Sequence, residues 1–376
     1  MTDRDVFAAV VVASATAISA LLVPVSRRIA QAAGVLDHPG ERKMHERATP
    51  RLGGVAVFLA FALVVGSGHW LTPLLSEMAK TQEWFAGPLR MLQEAPKVRL
   101  ELIGLLAGST LAFLIGLLDD ILGARFHVVA KAAGQILAAV ILVTAGIRTS
   151  FMPWEWLNVL VTVLWVVGIT NAFNLLDNMD GLSAGVALVA SGVLFANAWA
   201  HGEFFIGLIL AAFIGSLLGF LFFNWEPASV FLGDCGSLFI GFVMASITLL
   251  ERYVTKASST YFPVLLPAFV LAVPLIDTLT VIVIRVRQRR PIWHGDNSHL
   301  SHRLVSLGLS RRAAVGFIYL ATFCLGAGAI SLRDATRGET LLLLMQSVGF
   351  VALLLLLMFV ERRGASASLT VRGDGS

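Results

Sequence analysis

Charge is scarce in this chain. Asp, Glu, Lys and Arg make up 14% of its 376 residues, where a soluble domain carries roughly 25%. That shortage excludes an ordinary water-covered globule. Cysteine is nearly missing as well: Cys235 and Cys324 are too few for a disulfide framework and do not stand at metal-ligand spacing. No internal repeat is visible, and no low-complexity stretch beyond a short polar tail after Gly364. Nor does the first apolar run have a basic leader. Asp3 and Asp5 precede it, so it reads as a retained helix and not as a cleaved signal.

What the chain has is apolar length. Hydrophobic residues make up 57% of it, with a mean hydropathy of +0.82. Apolar stretches recur near the roughly 20 residues that cross a bilayer. Eleven spans can be drawn: 6–26, 53–71, 100–118, 128–147, 157–174, 182–200, 204–223, 235–251, 263–285, 313–332 and 340–360, with ten as the alternative count. The expected fold is all-α and polytopic, one transmembrane catalytic domain over 1–364 followed by a polar tail over 365–376. The calculated pI of 9.4 could suggest a nucleic-acid partner. The arginines sit instead at the ends of apolar stretches, where they set orientation, so no nucleic acid is expected.

Numbering the loops from the N-terminus as zero, the odd loops and C-terminus hold 17 of the 28 Lys and Arg residues and the even side holds 10. The bias puts the odd loops in the cytoplasm and the N-terminus outside. Every polar motif with chemical character lies on that odd side: RKMHERATPRLGG, LLDDILGARFH, NAFNLLDNMDGL, NWEPASVFLGDCGS and GDNSHLSHRL. Five loops on one face imply one cytoplasmic active site.

Each motif has a plainer reading. Asp119 and Asp120 could simply end a helix in water, yet adjacent carboxylates at a helix C-terminus repel each other and the helix dipole. Mg²⁺, held by one or two carboxylates plus substrate phosphate oxygens, would relieve that, with Mn²⁺ as a substitute. Asp177 and Asp180 share a face if their segment is helical. A plain turn there would need Gly181 and one Asn, not Asn171, Asn174 and Asn178 together, and Asn can bind a base or a sugar. Asp234 is either a helix N-cap or a metal-bound carboxylate, and Phe231 either meets lipid or stacks on a base. His299 and His302, followed by Arg303, suit a phosphate or sugar; a transition-metal site would need a third ligand such as Asp296. Lys131, one turn inside its span, either snorkels or meets a lipid phosphate. Arg42, Lys43, His45 and Arg51 surround the Pro50–Gly54 turn, and the first three are further candidates for that phosphate. Asp277, inside a span, is open between function and a structural pairing with Thr278 or Arg285.

Together these segments, in order from about Asp37 to Arg303, resemble the polyprenyl-phosphate N-acetylhexosamine-1-phosphate transferase family. The resemblance implies transfer of a HexNAc-1-phosphate from a UDP-HexNAc donor to polyprenyl phosphate with release of UMP, at the inner membrane, with room for a homodimer. It implies that Asp119 and Asp120 act at the acceptor phosphate and metal, joined at the metal by Asp177, and that Asp177 and Asp180, with Asn171 and Asn174, help hold the nucleotide-sugar. Asp234 would bind Mg²⁺, Asn224 and Phe231 would contact the nucleoside, and Lys131 the acceptor phosphate. His299, His302 and Arg303 would bind the donor's diphosphate or sugar. His-Leu-Ser-His departs from the three consecutive histidines of the muramoyl-pentapeptide branch, and TPRLGG from its TPTMGG; both point to the GlcNAc branch. Two rivals fit less well. A Mg²⁺-dependent membrane prenyltransferase needs no nucleotide pocket, and a transporter would place its charges near the bilayer midplane.

Overall fold

A computed structural model describes residues 2–37, 48–81, 98–253, 261–291 and 298–371. Arg42, Lys43, His45 and Asp296 lie outside the described residues. In lipid, a chain must satisfy its backbone polar groups within each segment, which leaves helices as the solution for sequences like this one. Among the described residues, eight helices are long and apolar enough to cross a membrane, or nine if a bent pair counts as one span. Two shorter apolar helices, Gly53–Gly68 and Val128–Thr144, occupy two further segments in which spans were expected. All eleven expected segments fall on helices. The chain is therefore an all-α polytopic membrane protein, in two compact units.

The first unit, Met1–Arg252, holds helices α1 (Asp3–Ala32), α2 (Gly53–Thr81), α3 (Arg99–Leu122), α4 (Val128–Thr144), α5 (Glu155–Leu176), α6 (Leu182–Ala200), α7 (Phe204–Asn224) and α8 (Gly233–Leu250). A two-residue ladder pairs β1 (Leu36–Asp37) with β2 (Thr49–Pro50) antiparallel. Helix α8 is the axis of the unit: 83% of its apolar stretch is buried, against α2, α3, α5 and α6. An aromatic cluster locks it in place. Phe58 stacks on Phe113 with ring centroids 4.1 Å apart, and Phe239 of α8 meets Phe58, Phe61 and Phe213 edge-on. Such pairs add about 0.5–1.5 kcal/mol each beyond their buried area. Helix α1 lies along α7 on small residues, with Ala15 and Ser19 buried and the Ser19 hydroxyl donating to the Ser216 carbonyl at 2.8 Å. Close backbone approach through small side chains is the usual glue between helices in lipid.

The second unit, Tyr253–Ser376, holds a 3₁₀ turn (Phe262–Leu265), then α9 (Leu266–Val270), α10 (Ala272–Arg287), α11 (Leu300–Ser306), α12 (Arg311–Ile330) and α13 (Arg337–Val371). The apolar path bends by 72° where α9 gives way to α10 at Leu271. Pro274 accounts for the break. It has no N–H to return to the Val270 carbonyl, so a continuous helix cannot form there.

Candidate active site

The site grows from the first turn of α8. Gly233 has φ +75°, and a Cβ on it would lie 2.0 Å from the Arg51 carbonyl and 2.7 Å from Asp120 Oδ2. Only glycine lets these backbones close up. The TPRLGG and VFLGDCGS loops then knit together: Phe231 N–H donates to the Pro50 carbonyl at 2.8 Å, Gly53 N–H to Phe231 at 2.9 Å and Gly54 N–H to Leu232 at 2.8 Å. Gly54 packs against Gly236, where an added Cβ would stand 2.2 Å from Cα. Replacing Gly54 by Ala is accordingly expected to push α8 outward. Misplacement of about 1 Å costs about 10²-fold in rate. A purified Gly54→Ala protein with near-normal turnover would show that this contact does not hold the site.

Asp120, at the end of α3, is buried and spends both oxygens on that same turn. Oδ1 accepts from Asp234 N–H at 3.0 Å and Oδ2 from Cys235 N–H at 2.9 Å. Two otherwise unsatisfied amides at a helix start are met by one carboxylate from another helix. Arg51 Nη2 approaches Asp120 Oδ1 at 3.4 Å and its Nη1 approaches Asp37 Oδ1 at 3.6 Å. Asp120 thus sets the orientation of the turn that carries Asp234.

Beside it lies a four-helix junction of charge. Lys131 Nζ of α4 sits 2.7 Å from Asp119 Oδ2 of α3, 3.1 Å from Asn174 Oδ1 of α5 and 3.6 Å from Asp234 Oδ2 of α8. Asn174 Nδ2 donates in turn to Asp234 Oδ1 at 2.6 Å and contacts Ser237 Oγ at 2.8 Å. The Asp119 and Asp234 carboxylates interact directly. Asp119, Lys131, Asn174 and Asp234 are partly exposed, so reactants can reach them, while Ser237 is buried. Around this cluster the helix ends present bare apolar side chains: Leu118, Ile121 and Leu122 on α3, Val128 and Val129 on α4.

The Asn–Asp loop after α5 divides by role. Asp177 follows the last turn of α5 with Asp234, Asp120 and Asp180 as electrostatic neighbours. Burial first, then the charge of Asp234, pushes its carboxyl well above the usual carboxylate range. Asp180 Oδ2 accepts from Ala228 N–H at 2.9 Å. Asn224 is buried and ties loops together, accepting from Gly181 N–H at 3.0 Å and donating to the Val230 carbonyl at 2.9 Å. Asn171 lies one turn inside α5, paired with Gln135 at 2.7 Å. Phe231 is partly exposed, with its backbone in the knit loops. Asn224 and Asn171 therefore have amides engaged in holding the frame rather than offered to a ligand.

Gln135, Ser237 and Arg51 complete the site without having been singled out as site residues from the sequence. Gln135 carried a usable signal. It is a polar residue one turn beyond Lys131 inside an apolar span.

Among the described residues, Asp119, Asp120, Asp177 and Asp234 have the cationic side chains of Lys131 and Arg51 as neighbours, and Asp180 lies beside Asp177. Among the described residues, no three His, Cys, Asp or Glu side chains stand ready as a metal cage. The expected trio of Asp120, Asp177 and Asp234 is not brought together in that way, because Asp120 is committed to the amides of α8.

In the second unit, His299 is buried with Nδ1 2.7 Å from Asp277 Oδ2, and Arg303 Nε donates to the Ser298 carbonyl at 2.8 Å. Asp277 is thereby settled against His299, and His302 and Arg303 are partly exposed on α11.

Residues 102–251, which contain the cluster from Asp119 to Asp234, match the model of glycosyl transferase family 4. A probable undecaprenyl-phosphate N-acetylglucosaminyl 1-phosphate transferase of Bacillus subtilis is 33% identical over 328 residues, 84% of this chain and 82% of the relative. A decaprenyl-phosphate N-acetylglucosaminephosphotransferase of Mycolicibacterium smegmatis is 32% identical over 358 residues, 88% and 83% of the two chains. A phospho-N-acetylmuramoyl-pentapeptide-transferase of Geobacillus kaustophilus is 28% identical over 280 residues, 71% and 78%. This chain belongs to that family. As a family 4 member it is a membrane enzyme, a glycosyl-1-phosphate transferase. In this chain carboxylates and a lysine are collected from four helix ends at the margin of an apolar bundle.

Proposed function

We propose that this enzyme moves GlcNAc-1-phosphate from UDP-GlcNAc to polyprenyl phosphate, with Mg²⁺, releasing UMP on the cytoplasmic face of the inner membrane. The observation that supports it most is the convergence of Asp119, Lys131, Asn174 and Asp234 from four separate helices. The excess of Lys and Arg on the loops that carry these residues supports the cytoplasmic placement. Both substrates are anions, so the site must offset their repulsion.

In the proposed step, an oxygen of the lipid phosphate forms a bond to the β-phosphorus of the donor. The bond from that phosphorus to the bridging oxygen breaks, and UMP departs with the oxygen. A phosphate monoester is already largely ionised near neutral pH, its second pKa being about 6. Attack therefore needs little help from a base. Asp119 instead holds Lys131, and Lys131 receives the acceptor phosphate. The donor set fits a hard divalent cation: Asp234 and Asp119 would hold Mg²⁺ together with donor phosphate oxygens, in keeping with the one or two carboxylates that Mg²⁺ usually takes. Bound there, it would stabilise charge on the departing UMP.

Membranes or purified enzyme given UDP-GlcNAc labelled in the sugar, undecaprenyl phosphate and Mg²⁺ should pass label into the lipid phase as UMP appears. EDTA should abolish the transfer and added Mg²⁺ restore it. A panel of UDP-HexNAc donors, including UDP-MurNAc-pentapeptide, fixes the sugar, and absence of transfer from every one overturns the reading.

A further inference from the structure

We infer that the first unit holds a second ligand site, at the end of its bundle away from the acid cluster, for a phospholipid whose headgroup carries both a phosphate and a primary ammonium. The site shares no residue with the proposed reaction. Glu101 stands in the first turn of α3 and Asp119 in its last, and the helical rise between them is about 27 Å. A bilayer's hydrocarbon core is about 30 Å thick, so the two ends lie at opposite membrane boundaries. At the Glu101 end a cavity of about 440 Å³ opens between the starts of α1 and α3, the α6–α7 loop and the end of α8. Small-molecule sites have volumes of roughly 300–1,000 Å³. Charge of both signs lines this one, Arg4 and Arg252 with Glu101 and Glu203, among mostly apolar side chains.

Two contacts fix the frame of the cavity. Trp199 Nε1 donates to Asp5 Oδ1 at 3.0 Å, which pins the first turn of α1 to the end of α6. Arg252 N–H donates to Glu203 Oε2 at 3.3 Å, which ties the end of α8 to the α6–α7 loop. The Arg4 guanidinium lies over the Phe204 ring, 4.4 Å from its centroid. Stacked in this way, it is held in place while its N–H edge stays open to an anion. Among the described residues, no ion pair engages the side chains of Arg4, Arg252 or Glu101. An apolar crevice of about 70 Å³ adjoins the cavity, sharing Leu102, Phe205 and Ile209 with it and reaching Val11 of α1 and Val64 of α2. Polar space for a head beside apolar space for a chain, at a membrane boundary, selects an amphiphile. The charges select its head. A phosphate alone would suit the arginines but leave Glu101 and Glu203 facing an anion. An ammonium on the same head supplies the opposite sign. A primary ammonium also offers N–H donors to those carboxylates, which the quaternary nitrogen of choline lacks.

Native mass spectrometry of the delipidated full-length enzyme tests the site, read at the first lipid bound. The probes are dioleoyl phosphatidylethanolamine, phosphatidylcholine and phosphatidylglycerol, titrated separately. One hydrogen bond to a charged group changes affinity by about 10- to 100-fold. Phosphatidylethanolamine should therefore bind at least about tenfold more tightly than either of the other two. Glu101→Gln should erase most of its advantage over phosphatidylcholine. Arg4→Gln should weaken all three lipids by about tenfold, because each carries the phosphate. If Arg4→Gln fails to accumulate, Arg252→Gln, at an exposed position, tests the same phosphate contact. Equal affinity for the three lipids would show only an ordinary lipid coat and overturns the site. Tightest binding of phosphatidylglycerol overturns it too, as does an undiminished preference for phosphatidylethanolamine in Glu101→Gln.

Discussion

Replacing Asp234 by Asn should lower transfer by at least about 10³-fold, equivalent to about 4 kcal/mol of transition-state stabilisation, while the protein still folds and inserts. The replacement keeps the side chain's shape. An amide oxygen can still accept from Asn174 Nδ2, now at 2.6 Å, and the backbone N–H of residue 234 still reaches Asp120. What disappears is the charge that draws Lys131 at 3.6 Å and that would hold Mg²⁺ between protein and donor phosphate. Initial rates of lipid-linked sugar formation, taken across a Mg²⁺ titration, check it. If turnover stays near normal, Asp234 has no part in the chemistry.

Lys131→Met should cost about 10²- to 10³-fold, the range found when one preorganised donor is removed from a site of developing charge. Met matches the length and flexibility of lysine and removes only the ammonium. The loss should concentrate on the acceptor, with the donor KM little changed. Lys131→Arg should not rescue. A compact ammonium sits among three oxygens, on Asp119, Asn174 and Asp234, and a planar guanidinium cannot reproduce that arrangement. Activity above a tenth of the native rate in either variant would move the acceptor phosphate elsewhere.

Much of the architecture could be read from residues alone, for a physical reason. Lipid demands long apolar helices, so composition marks each segment, and every expected stretch meets at least one helix, with 263–285 broken at Leu271. The acid-bearing loops were equally legible, since carboxylates beside apolar spans are rare. The division of labour among those acids was not. Asp120 and the α8 amides it caps are 114 and 115 residues apart in sequence, and nothing local announces the bond. In sequence Asp120 reads as a metal ligand, with no sign of its bond to the α8 amides. Asn224 and Asn171 are similar: asparagine suits a nucleotide and a loop clamp equally well, and only the fold shows their protein partners. His299 needed Asp277, 22 positions away, to reveal its inward setting. Lys131 was the opposite case. Its depth of one turn inside a span already limited what it could touch.

The bare Leu118, Ile121, Leu122, Val128 and Val129 at the ends of α3 and α4 adjoin the helix ends that carry Asp119 and Lys131. A long isoprenoid tail can therefore remain dissolved among acyl chains while its head alone arrives by lateral diffusion, a search in two dimensions rather than three. Such an enzyme sees its acceptor at the crowded density of the bilayer, and extra isoprene units, trailing away into that fluid, should alter turnover far less than changes to the head.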